Sequence, residues 1–162
     1  MANNPALSIT VDSAGVISML TAASEKTALR IGQLVEGAAI AVQREMRLVA
    51  PVGVTGQLRN SIRYVYTPAL LSAEVGPQAD YAAAVETGSK PHWPPYGDGS
   101  SIADWANLKG IPAFLVARSI ARKGTKAHPF VKPTYDKMKP VVEEQISVGI
   151  RALVEEVNSG SL

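Results

Sequence analysis

In APVGVTGQLRNSIRY, residues 50–64, a helical pattern stops and an alternating one begins. Pro51 pushes the residue before it out of the α region, so a helix arriving from the N-terminal side ends at Ala50. Thr55 then suits the cap of a short turn through Leu58, its hydroxyl meeting unpaired N–H groups while Gly56 relaxes the backbone. Beyond the turn, Ile62, Tyr64 and Tyr66 alternate with Ser61, Arg63 and Val65, which predicts a strand. The stretch is a hinge between a helix and a sheet.

Upstream of the hinge the period is helical from about Ser24 to Val49. Ile31, Val35, Ala38, Val42, Met46 and Val49 recur at spacings of three or four, with Lys26, Arg30, Gln33, Arg44 and Arg47 mostly elsewhere. Such a helix would be about 39 Å long. Gly32 and Gly37 lie inside it at a cost of ~1 kcal/mol each relative to Ala. Burial of the stripe must offset that cost, so the helix is expected to lie against a broad surface such as a sheet. Further upstream, 7–11 (LSITV) alternate as a short strand, and Val16, Ile17 and Leu20 fit a helical turn better than a second strand.

Downstream, TPA at 67–69 turns the chain and 70–76 (LLSAEVG) read as the antiparallel partner strand. A short helix is predicted from Tyr81 to Thr87, with Asp80 near its cap and Gly88 as a left-handed stop. Residues 89–100 hold three prolines and two glycines without periodicity, a loop. Ser101 and Asp104 resemble a capping box opening a helix that Gly110 closes, and Pro112 suits the first position of another that Gly124 stops after Lys123. HPFVKP, 128–133, reads as extended. The last helix carries Val142, Ile146, Ile150, Leu153 and Val157 on one face, with Pro140 either kinking it or starting its regular part. The expected fold is therefore α+β: an antiparallel sheet packed by a long N-terminal helix and a C-terminal helix, both on one sheet face. At 162 residues the chain suits one domain, 1–162, with an insertion at 89–127 and a frayed tail at 158–162.

Composition narrows the chemistry. No cysteine is present, which excludes disulfides and thiolate zinc sites and fits a reducing compartment. The opening residues show no basic segment followed by a long apolar run, so no secretory leader is expected, and no apolar run reaches the ~18 residues of a membrane span. The net charge of +2 is unevenly spread: eight Lys/Arg and one acid lie between Lys109 and Lys139, and four Glu and one Arg from Val141 onward. His92 and His128 are 36 positions apart with no carboxylate or second histidine at a ligand spacing, so no metal is expected. Serines lack a nucleophile elbow or a Ser-x-x-Lys context. Glu86 and Asp80 read as a helix-face charge and a cap rather than an acid–base pair, although a small hydrolase would need a polar pocket around Glu86, His92 or His128. No phosphate-binding glycine motif occurs, and no cofactor is expected. Trp93 and Tyr96 are read as packing their loop onto the domain, Phe114 and Phe130 as core. Arg118, Arg122, Lys123, Lys126 and Lys132 form the basic candidate for nucleic-acid contact, without the interleaved aromatics that single strands favour.

The order of signals resembles a family of tailed-phage minor proteins, the tail components or head–tail joining (neck) proteins. The matching pattern is Ala-Pro, Thr-Gly-x-Leu-x-x-Ser, Tyr-Ala-x-x-Val-Glu-x-Gly and Pro-Phe-x-x-Pro. Here it falls on Ala50, Pro51, Thr55, Gly56, Leu58, Ser61, Tyr81, Ala82, Val85, Glu86, Gly88, Pro129, Phe130 and Pro133, across residues 24–157. One departure is Gly53-Val54, where the family has a single acidic residue. The resemblance implies no catalysis. It implies a structural virion protein, located at the head–tail interface and in the host cytoplasm during assembly. Its partners would be further copies of itself in a ring, portal-adaptor proteins on one side, and tail-tube or terminator proteins on the other, with non-specific contact to genome DNA. On this reading the hinge fixes an angle that a closed ring requires.

Overall fold

The structure is a computed structural model that describes residues 9–12, 25–53 and 55–159. Strand β1 (Ile9–Asp12) precedes the long helix α1 (Glu25–Val49), the short helix α2 (Gln57–Ser61) and strand β2 (Ile62–Thr67). A 3-10 turn (Pro68–Leu70) leads to β3 (Ser72–Pro77), followed by α3 (Ala82–Thr87), α4 (Ser101–Lys109), α5 (Ala113–Lys123) and α6 (Val131–Asn158). The sheet is antiparallel with order β1-β3-β2, pairing Ile9 with Val75 and Tyr64 with Val75 across the central strand. The expected turn around Val16, Ile17 and Leu20 lies outside the described residues, as do the start of the 7–11 strand and residues 160–162.

Strand alternation gives the sheet one covered face. Ile62, Tyr64, Tyr66, Ala73 and Val75 turn toward α1, whereas Arg63, Val65 and Glu74 are exposed. The α1 stripe is buried as its spacing predicts at Ile31, Val35, Ala38, Val42 and Met46, but Val49 is exposed and Ala50 takes its place in the core. Gly32 has a reason to be glycine: a Cβ there would run into the Tyr66 hydroxyl. Helix α1 covers all three strands, and α6 lies along α1 and reaches the sheet at β1. The two helices come close at Gly149, where a Cβ would sit 2.5 Å from a Leu34 methyl.

Several boundaries move for local reasons. Leu71 takes left-handed angles (φ 45°), so the partner strand starts at Ser72 rather than Leu70. The cap of α4 is Ser100, whose Oγ accepts the Ala103 N–H at 3.1 Å; the Ser101–Asp104 box is one residue out of register. Pro112 caps α5 from just outside it. Gly110 closes α4 as expected and does so with left-handed angles, but Gly88 has ψ 176° and so leads into a β-bridge, not the left-handed stop expected there. The largest correction is at HPFVKP: Val131, Lys132 and Pro133 are not extended but form the first turn of α6, which runs on through Pro140. Its buried face is Thr134, Met138 and Leu153 with Val142 and Ile146 against the core; Val157 is exposed.

Candidate functional site

The family-motif residues meet at two junctions. At the first, α1 is tied to the start of β2. Arg47 donates from Nε (3.2 Å) and Nη2 (2.7 Å) to the Ile62 carbonyl, and Gln43 Nε2 donates to the same oxygen at 3.0 Å. Between these anchors Gly56 adopts φ 63°, the region where a side chain is strained, and Thr55 Oγ1 accepts the Gln57 N–H at 3.2 Å. Gly56 occupies the cap position that the sequence assigns to Thr55, and the turn continues past Leu58 to Ser61. Leu58 is buried, Ser61 Oγ donates to the Leu58 carbonyl at 2.7 Å, and the Ser61 carbonyl accepts the Gln78 N–H at 3.1 Å. Arg47 and Gln43 were invisible to motif reading because polar residues on a helix flank carry no signal of their target.

The second junction joins α3 to α6. The half-buried Glu86 carboxylate accepts the backbone N–H groups of Phe130 (2.7 Å), Val131 (2.9 Å) and Lys132 (3.0 Å). The next residue, Pro133, has no N–H, and Thr134 begins the intrahelical ladder by donating to the Phe130 carbonyl at 3.3 Å, backed by its hydroxyl at 2.6 Å. The N-terminal donors of α6 are thereby all met, three of them by one side chain 44 or more positions upstream. Phe130 is fully buried beside this cap, in agreement with its reading as core. The Val85 carbonyl accepts the His128 N–H at 2.7 Å, and Ser89 and Thr125 exchange N–H bonds at 3.1 Å. Gly88 allows this approach, since a Cβ would lie 2.7 Å from the Thr125 carbonyl oxygen; a Cβ at Gly124 would run into that of Ser89. The insertion therefore leaves and returns at one closed neck. Asp80 lies one residue before the α3 cap, which is Tyr81.

The insertion stands away from the junctions and leaves an open apolar groove of about 630 Å³ lined by Leu58, Tyr81, Val85, Ile102, Trp105 and Ile120. Pro51 and Thr55 border it, as do His92 and His128. The sequence did not predict that the two histidines border one groove, but Glu86 is spent on the α6 cap, and the Nδ1 of exposed His92 lies 2.9 Å from the Lys90 carbonyl. Among the described residues no three His, Asp or Glu side chains converge to hold a metal. Burial raises the pKa of Tyr81, whose hydroxyl reaches Gln57 Oε1 at 3.5 Å. Pro129 is exposed.

Two readings of the insertion change. Phe114 is not core: it is 47% exposed and packs with Trp93 and Tyr96, all ring centroids 6.0–6.2 Å apart. The loop aromatics thus pack against a helix of the insertion itself. Arg118, Arg122, Lys123 and Lys126 are exposed, whereas Lys132 lies on α6 and pairs with Asp136 at 3.0 Å.

Residues 14–88 match the family model described as "Bacteriophage HK97-gp10, putative tail-component". Over that stretch the chain is similar to phage tail components. The match covers a little under half of the chain, from before α1 through the hinge, the sheet hairpin and α3 to Gly88. The Pro-Phe-x-x-Pro segment and α6 lie beyond it, although Glu86 inside the match holds them in place. No curated protein and no solved structure matches the chain. The match supports a structural phage protein and a place in the virion, and a structural tail-component family points away from catalysis. No helix among the described residues is long and apolar enough to cross a membrane.

Proposed function

We propose that the protein is a head–tail joining (neck) or tail-completion subunit that assembles as a ring between the portal complex and the tail. The observation that carries this reading is the tail-component match over residues 14–88. The geometry is in keeping with it. Motif side chains that an enzyme would use for chemistry are engaged here in structure: Glu86 caps a helix, Ser61 bonds the Leu58 carbonyl, and Thr55 bonds the hinge. What the molecule offers its surroundings is an apolar groove, an aromatic cluster and a basic helix on the insertion. Portal-adaptor proteins would meet one side of the ring, tail-tube or terminator proteins the other, with genome DNA passing through the channel. A nucleic-acid-binding role for Arg118, Arg122, Lys123 and Lys126 is the second reading, favoured by their exposure.

In-frame deletion of the gene from the phage genome that carries it tests the proposal. Filled heads and finished tails should accumulate unjoined, and the full chain supplied in trans should restore joined particles. Normal yields of joined particles without the gene would refute it.

A further inference from the structure

Two exposed helix faces have opposite chemistry. On α5, Leu115, Arg118 and Arg122 fall within one sector of about 60° at 3.6 residues per turn. Leu115 is 50% exposed, beside the exposed Phe114, Trp93 and Tyr96. Among the described residues no ion pair engages Arg118, Arg122, Lys123 or Lys126. On α6, Val141, Glu144, Val148 and Glu155 share one sector of similar width. Val141 and Val148 are 49% and 51% exposed, and the sector faces away from Met138, Val142, Ile146 and Leu153, which pack against the core. From Val141 onward α6 carries four glutamates against one cation, Arg151, which is 3.5 Å from Glu144. The exposure of both faces shows that neither covers the other within one chain.

We infer that the α5 face of one copy docks on the α6 face of a second copy. This rests on the ring reading above and names its contact. A basic apolar face meeting an acidic apolar one is attractive, whereas α5 on α5 or α6 on α6 brings like charges together. The two surfaces differ, so a docked pair still presents one free α5 face and one free α6 face. That is the heterologous arrangement from which rings close.

The chain has no cysteine, which makes the contact directly testable. The full chain carrying Leu115→Cys and Val148→Cys, oxidised at high concentration, should form a ladder extending beyond dimers. Its yield should be roughly tenfold above that of Leu115→Cys with Val65→Cys, a control on the open sheet face. Adding Arg118→Glu and Arg122→Glu should reduce the yield to the control level, and adding Glu144→Lys and Glu155→Lys to that variant should restore it. If the combined variant does not fold, Leu115→Cys with the two Glu substitutions, mixed with Val148→Cys carrying the two Lys substitutions, should give dimers. A yield no higher than the control, or a ladder unchanged by reversing the arginines, overturns the inference. So does a yield at the control level, with Arg118 and Arg122 intact, in a chain that binds duplex DNA salt-sensitively through those two residues. If cross-linking fails while the gene is still required for joining heads to tails, only the docking contact falls. If it succeeds while the gene is dispensable, only the functional reading falls.

Discussion

Glu86 shows how much one side chain can hold. Its two oxygens accept three N–H groups at the start of a 28-residue helix, across the neck of the insertion. Hydrogen bonds to a charged acceptor contribute ~1.5–3 kcal/mol and a lost cap costs about 0.5–2. Because the three bonds share one carboxylate, Glu86→Ala is expected to lower stability by about 2–3 kcal/mol in urea unfolding. Glu86→Gln, which keeps one acceptor oxygen, should lose about half that. A tyrosine supplies the pH test. The Tyr64 hydroxyl donates to Glu36 at 2.9 Å, and that hydrogen bond, then the charge on Glu36, raises its pKa above 10.0. A raised folded-state pKa means a contribution fully present below pH 10 and lost as pH climbs through the folded value. Tyr64→Phe should therefore flatten the fall in stability above about pH 10, as read by chemical denaturation across an alkaline series. Glu86 was legible in the sequence as a motif member but read as a helix-face charge. Its partners lie on the far side of the insertion, and linear spacing carries no trace of that distance.

At the scale of elements, the hinge is a set of anchors rather than a free connection. Three donors from Arg47 and Gln43 converge on the Ile62 carbonyl, holding the end of α1 against the first residue of β2. Either Arg47→Ala or Gln43→Ala leaves that carbonyl a partner and should cost about 1 kcal/mol. The double substitution leaves it unmet and should exceed the sum of the two, a coupling that a double-mutant cycle measures. The crossing of α1 and α6 is as confined. Gly149→Val would drive a branched side chain into Leu34, and overpacking of this kind costs ~1–3 kcal/mol. Long elements with strong periodicity were legible: α1, the β2–β3 pair and α6 follow from stripes of apolar residues. Element edges were less so. HPFVKP looks extended because two prolines crowd it, yet Pro133 suits a first helical turn, where an N–H has no intrahelical partner. Phe114 sits at a helical spacing that suits a core, but its helix belongs to an insertion whose outer side meets solvent.

At the scale of the molecule, charge and apolar exposure are arranged on separate projections. The basic helix and aromatic cluster ride on an insertion closed at its neck by Gly88 and Gly124, and the acidic half of α6 forms another surface. Composition foretold the charge separation, whereas the groove between insertion and hinge required the three-dimensional path of the chain. The central claim, that this is a structural part of the phage particle, is tested most directly by quantitative mass spectrometry of purified joined particles. A ring subunit should be present at a fixed small copy number relative to the portal protein, equal in every preparation and retained through stringent washing. A chain found only in the soluble lysate, and absent from intact particles, would contradict the account.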